Sequence, residues 1–283
     1  MKNHRTLAAL LLISLLLLPS APEAKTKKKE AAPQPEVVSQ WNGKRVAYLG
    51  DSITDKGLNF PNVYWNFLQQ ILGIEPLVYG INGHQMNQII GQAQKLEADH
   101  GQDFDAIMVF IGTNDFNASV PVGEFFTEKG EVTTIGGPTK VVRKHRQLIT
   151  DGSTFCGRTN EALAYLKHHF PTKQIILLTP IHRAYATFGQ GNIQPDESWA
   201  NGVGQYIDEY VQAIREAGSI WAMPVIDLNA LCGLYPLEPA QNIYFRNTET
   251  DLLHPNADGQ RRMAYTLAYQ LMSLPATFTA PAE

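Results

Sequence analysis

"VAYLGDSITDKG", Val46 to Gly57, begins as an apolar run and stops at Gly50-Asp51-Ser52. Gly, Asp and Ser are turn formers, so the break reads simply as a turn after a strand. A hydroxyl nucleophile held at the end of a strand would give the same composition. The two readings separate only on what the rest of the chain brings to that edge.

Strand-like and helix-like runs alternate along the chain. "RVAYLG" (Arg45 to Gly50), "PLVYG" (Pro76 to Gly80), "DAIMVFIG" (Asp105 to Gly112), "QIILLTP" (Gln174 to Pro180) and "MPVIDL" (Met223 to Leu228) read as strands. The third and fourth are almost wholly apolar, as strands buried on both faces are. Between them, Asn62 to Leu72, Gln85 to Asp99, Arg158 to Phe170, Glu197 to Gly218 and Asn256 to Leu274 read as helices. This alternation predicts an α/β fold with a parallel sheet and helices on both faces. Right-handed crossovers place every strand's C-terminal end on one edge, where such sheets form their sites. Asn117 to Gly157 breaks the rhythm, with no clear periodicity and several glycines. A stretch this long is a functional loop or an inserted hairpin. Because it leaves a strand end at the active edge, it is expected to set substrate choice.

The chain has 283 residues, 44% hydrophobic and 18% charged, an ordinary globular balance. A formal net charge of -4 offers no basic footprint for a nucleic acid. Residues 1–24 read as a signal peptide: Lys2, His4 and Arg5, then an apolar run Leu7 to Leu18 too short to span a membrane, then small residues. Export to the periplasm or medium follows, with no stable membrane insertion after its removal. Residues 25–40 read as a solvated tether, 41–275 as one domain with an insert at about 117–157, and 276–283 as a tail. Cys156 and Cys232 show no metal-ligand spacing; a disulfide and two buried thiols are both open.

Polar residues follow three strands: Gly50-Asp51-Ser52, "GINGHQ" (Gly80 to Gln85) and "GTND" (Gly112 to Asp115). "DLLHP" (Asp251 to Pro255) precedes the last helix and can reach the same edge. Together they suit acyl transfer. A serine hydroxyl needs a base within hydrogen-bond reach, and His254 supplies one. Asp251 can hold the imidazole's other proton. Backbone N–H groups of Ser52 and Gly83 and the side-chain amide of Asn114 can face an oxyanion. Taken singly, each piece has a plain alternative: turns for Gly50-Asp51-Ser52 and "GTND", a helix cap for Asp251, a surface histidine for His254. The four in this order are hard to assign to turns.

The sequence resembles the SGNH hydrolases, also called the GDSL family of esterases and lipases, over essentially the whole domain. "YLGDSIT" matches the first motif, with Ser52 as nucleophile. "YGINGH" matches the second, with Gly83 in the oxyanion hole, and "FIGTND" the third, with Asn114 there. "DLLHP" matches the last, with Asp251 and His254 as acid and base. The resemblance implies a three-layer α/β/α sandwich with a flavodoxin-like five-stranded parallel sheet, ester hydrolysis, and a site that needs no metal or cofactor. Two departures stand out. Val78-Tyr79 occupies a region where the family often has asparagine, and the long 117–157 stretch replaces a short loop.

Gly-x-Ser-x-Gly, the elbow of the α/β-hydrolases, is absent because Thr54 stands where its second glycine would be. No phosphate-binding Gly-rich loop follows the first strand. The expected function is an exported serine esterase acting on a small-molecule or glycan ester, with acetylated carbohydrate first. Lysophospholipids, thioesters and a non-catalytic carbohydrate-binding protein are the alternatives. Asp51, His182 and Arg183 are candidates for substrate contact, and Arg143 to Arg146 is a basic run that an acidic sugar could use.

Overall fold

The apolar runs read as buried strands lie side by side at the centre of one sheet. The computed structural model describes residues 39–278; the expected signal peptide, nearly all of the expected tether and residues 279–283 lie outside them. In chain order the strands are β1 (Arg45–Gly50), β2 (Glu75–Val78), β3 (Ala106–Phe110), β4 (Phe126–Thr134), β5 (Lys140–Leu148), β6 (Gln174–Leu178), β7 (Ala186–Thr187), β8 (Ile193–Gln194), β9 (Val225–Ile226), β10 (Phe245–Asn247) and β11 (Asp251–Pro255). The helices are α1 (Lys56–Asn59), α2 (Tyr64–Leu72), α3 (Ile89–His100), α4 (Thr113–Asn117), α5 (Phe155–His169), α6 (Ile207–Trp221), α7 (Leu228–Leu231) and α8 (Ala257–Leu271).

Five parallel strands form the main sheet in the order β2-β1-β3-β6-β9. That is the flavodoxin-like arrangement, with its order reversing beside β1. Side chains alternate between two cores. Val46 and Tyr48 face a layer containing Tyr64, Leu68, Met263 and Leu267 from α2 and α8. Ala47 and Leu49 face a layer containing Ile89, Leu96, Leu163 and Tyr210 from α3, α5 and α6. Cys232 lies in the first layer and Cys156 in the second, so the two thiols are buried and unpaired on opposite faces of the sheet. No described helix is long and apolar enough to cross a membrane.

The structure decides between the two readings of the insert, gives "DLLHP" its element, and corrects the start of one helix. The 117–157 stretch ends α4 and then forms an exposed antiparallel hairpin, β4 with β5, from Phe126↔Leu148 to Thr134↔Lys140. Asn160 of α5 roots it, its amide donating to the carbonyls of Phe125 and Ile149. The helix expected from Glu197 starts only at Ile207. Asn201 Oδ1 accepts from the N–H groups of Val203 and Gln205, which holds the preceding loop, and Glu209 reaches back to the Tyr206 N–H at 3.0 Å. "DLLHP" is a strand, β11, in a second small sheet of order β10-β11-β7-β8. Asn256 caps α8, its Oδ1 accepting from Asp258 and Gly259.

Candidate active site

Ser52 sits in a tight turn directly after β1, where the carbonyl of Asp51 accepts from Thr54 and Asp55. Glycine is required at position 50: a Cβ there would lie 2.5 Å from the Phe110 carbonyl oxygen and 2.6 Å from Thr54 Oγ1. β11 brings in the partners. Ser52 Oγ donates to His254 Nε2 at 2.9 Å, and His254 Nδ1 donates to Asp251 at 3.0 Å from each carboxylate oxygen. Asp251 also accepts from the backbone N–H of His254 at 3.0 Å, which fixes the carboxylate under the ring. All three side chains are buried, and Ser52 and His254 line one cleft.

The loops after β2 and β3 close on the same point. Gly83 adopts a φ of +79°, a left-handed conformation that glycine takes without steric cost. Asp55 accepts from the Asn82 N–H at 2.9 Å and so holds this loop beside the Ser52 turn. Asn114, at the start of α4, donates one amide proton to the His84 carbonyl at 3.0 Å. Neither the Ser52 nor the Gly83 N–H finds an acceptor among the described residues. Two buried clamps lie behind. Gln92 accepts from the Gly50 N–H and donates to its carbonyl, both at 2.8 Å, and meets His84 Nδ1 at 3.0 Å. Asp115 accepts from the Met86 N–H and from Arg158, each at 2.9 Å, tying the second motif to the third.

The cleft holds about 200 Å³ and is lined by Ser52, Gly83, Asn114 and His254 together with Leu58, Asn82, Phe188, Asn192, Gln194, Arg246 and Leu253. The sequence reading missed Phe188, Asn192, Gln194 and Arg246. The first three lie on a short hairpin made by β7 and β8, with the Phe188 ring edge-on to His254 at 5.4 Å. Glycines 189 and 191 beside Asn192 are its signal in the sequence, but two-residue strands carry no readable period.

The sequence profile of the GDSL-like Lipase/Acylhydrolase family matches residues 48–262, from β1 into α8. The chain belongs to that family. It is therefore placed among hydrolases of ester substrates. A solved protein from Lactobacillus plantarum is similar at 26% identity and a TM-score of 0.64, covering 82% of this chain and 98% of its own. A possible lipase from Chitinophaga pinensis is 22% identical, TM-score 0.59, over 80% of this chain and 97% of its own. A member of the lipolytic protein G-D-S-L family from Veillonella parvula is 16% identical, TM-score 0.54, over 81% and 99%. The last two likenesses show a shared fold alone. No curated protein matches the chain.

Within this GDSL-like site the three aspartates differ. Burial raises the Asp251 carboxyl, but hydrogen bonds from the His254 ring and backbone outweigh it, and its pKa lies below the ordinary value. Asp251 is thus ionised beside the imidazole. Burial pushes Asp51 up to about 7, against the Ile53 N–H and the His254 charge. Burial likewise pushes Asp115 up to about 6, against the Met86 N–H and Arg158.

Asp51, His182 and Arg183 do not line the cleft, which corrects their reading as substrate contacts. Asp51 is buried beneath the turn with Ile53, Phe110 and Ile181 around a void of about 10 Å³. His182 is held by Glu197 at 2.6 Å; that bond, against partial burial, raises its pKa. Arg183 is fully buried and donates to Thr113, Asn117 and Gln194, so it props the cleft wall from behind. No residue of the 117–157 insert lines the cleft either. Three of the four residues of its basic run have partners on the hairpin: Lys144 pairs with Glu128, His145 with Glu131, and Arg146 lies over Phe126.

Proposed function

We propose that the chain is an exported serine esterase that removes acetyl or other short acyl groups from carbohydrate, with Ser52, His254 and Asp251 as its catalytic triad. The observation that carries this reading is the continuous hydrogen-bonded chain Ser52–His254–Asp251 opening into a small cleft whose walls include the polar side chains of Asn82, Asn114, Asn192, Gln194 and Arg246. Its volume of about 200 Å³ lies below the range of roughly 300–1,000 Å³ usual for drug-sized ligands. Leu58, Phe188 and Leu253 are its apolar walls, enough for an acetyl methyl and too few for a long chain.

In the first half-reaction Ser52 Oγ attacks the ester carbonyl as His254 Nε2 takes its proton. Asp251 holds the ring in the tautomer that leaves Nε2 free to accept, and stabilises the imidazolium. The carbonyl oxygen becomes an oxyanion facing the N–H groups of Ser52 and Gly83 and the second amide proton of Asn114. Collapse of the intermediate breaks the bond to the alcohol oxygen, which leaves with the proton from His254. Water then attacks the acyl-Ser52 ester with His254 as base, and the carboxylic acid is released.

Export is read from the charge and apolar pattern of residues 1–24. The test of substrate is a panel of 4-nitrophenyl esters from acetyl to palmitoyl, run beside acetylated xylan and acetylated sialic acid. The proposal expects kcat/KM to be highest at acetyl and to fall with chain length, with acetate released from a glycan. A rise toward palmitoyl would establish the lipase alternative instead.

A further inference from the structure

We propose that Arg246 makes this cleft selective for esters whose alcohol carries an oxyanion, a carboxylate or a phosphate; the proposal rests on the esterase reading above. Arg246 lies on β10, paired with the strand that bears Asp251 and His254. Among the cleft-lining residues it has the one permanent charge, and none is Asp or Glu. Its guanidinium donates no hydrogen bond among the described residues, although its side chain is only 35% exposed. The carboxylate nearest to it is Asp251 Oδ2 at 3.7 Å, beyond hydrogen-bond reach, and both oxygens of Asp251 already accept from His254. Arg158, Arg183 and Arg215 instead direct their donors to protein acceptors. A planar fork of unused donors at the wall of a cleft matches a carboxylate or phosphate.

A second cation reinforces the first. Arg183 stands behind the wall, and its guanidinium meets the neutral oxygens of Thr113, Asn117 and Gln194. Burial lowers its pKa to about 10, which keeps it charged at neutral pH. Glu197, the carboxylate beside it, is taken up by His182 Nδ1 and the Arg183 backbone N–H. Gln194 turns its oxygen toward Arg183, and its amide nitrogen donates to Asn192 Oδ1 at 2.8 Å. The wall that faces substrate therefore combines amides and positive charge.

The chemistry assigns the side. The alcohol must leave toward His254 Nε2, which protonates it, while the carbonyl oxygen turns toward Gly83 and Asn114. Arg246 sits with Asp251 at the histidine end, so it addresses the alcohol and not the acyl group.

The test compares 3-acetoxybenzoate with its methyl ester on the wild-type chain, Arg246→Gln and Arg246→Lys. Wild type should prefer the anion, and the preference should shrink with added salt. In Arg246→Gln, kcat/KM for the anion should fall at least tenfold more than for the methyl ester, with Arg246→Lys in between. Equal losses on both esters would overturn the proposal and leave Arg246 as a prop for Asp251. A carboxylate on the acyl side, 4-nitrophenyl hemisuccinate against the acetate, should show little Arg246 dependence; a larger dependence there would overturn the assigned side. An O-acetylated uronic acid and 1-acetylglycerol 3-phosphate then tell carboxylate from phosphate by which loses more in Arg246→Gln. If wild type hydrolyses neither acetoxybenzoate nor its methyl ester, it is the esterase reading that fails.

Discussion

Asn114→Ala separates a catalytic donor from a turn-shaping residue. One amide proton goes to the His84 carbonyl at 3.0 Å, which leaves the other for the cleft that Asn114 lines. Truncation therefore has two effects of different size. In the resting protein it deletes one partly buried hydrogen bond, worth about 0.5–1.5 kcal/mol net. At about 2–4 °C per kcal/mol for a domain of this size, the melting temperature should drop by about 1–6 °C. In the transition state it removes an oxyanion donor, which should cost about 10²–10³ in kcat, or about 2.7–4 kcal/mol, with little change in KM. The N–H groups of Ser52 and Gly83 remain, so some activity should persist. Asn114→Asp should be at least as slow, because it sets a negative charge beside the developing oxyanion. The assay is kcat and KM on 4-nitrophenyl acetate, with a melting curve on the same preparations. A wild-type kcat with a raised KM and a lowered melting temperature would refute the reasoning and leave Asn114 as a turn residue.

Asp51 carries a pH signature. Its folded pKa of about 7 lies above the ordinary 3.8, so the folded state holds the proton more tightly and stability falls as pH rises from about 4 to about 7. The ionised, buried carboxylate costs at most about 4 kcal/mol; Asp51→Asn should therefore gain melting temperature relative to wild type at pH 8 and lose that gain near pH 4, whereas a pH-independent offset would contradict the assignment. Replacing the β4–β5 hairpin, Phe126 to Leu148, by a short Gly-Ser link should leave the ratios of kcat/KM across the ester panel unchanged, since no hairpin residue lines the cleft; altered ratios would restore the insert as a determinant of substrate choice.

What the sequence made legible follows from burial. Ala106–Phe110 and Gln174–Leu178 are buried along their whole length, so their apolar runs are continuous and their place in the sheet centre is readable. Ser52, Gly83 and Asn114 were legible because each follows a strand of the parallel sheet, and parallel strands share one edge, whereas Asp251 and His254 lie on β11 of the small antiparallel sheet and were legible from their spacing before the last helix. The short β9, Val225–Ile226, was read two residues too long at each end because Met223 and Leu228 are also buried. The loop before α6 imitates a helix because Trp199 and Val203 are apolar, yet both are exposed. The cleft wall was not legible. Gln194 and Arg246 lie on strands of two or three residues, Phe188 and Asn192 lie in the turn between β7 and β8, and their meeting with His254 depends on β11 pairing with β7 across a long stretch of chain. Buried clamps were hidden too, since Gln92 sits in α3 like any polar helix residue until its contacts with Gly50 are seen.

The central claim is that Ser52 Oγ is the nucleophile, activated by His254. Reaction with an alkyl fluorophosphonate, followed by peptide mass spectrometry, tests it most directly. The account predicts a single adduct on Ser52, formed together with loss of esterase activity and greatly slowed in His254→Ala. An inactivating adduct on any other residue, with Ser52 unmodified, would contradict it.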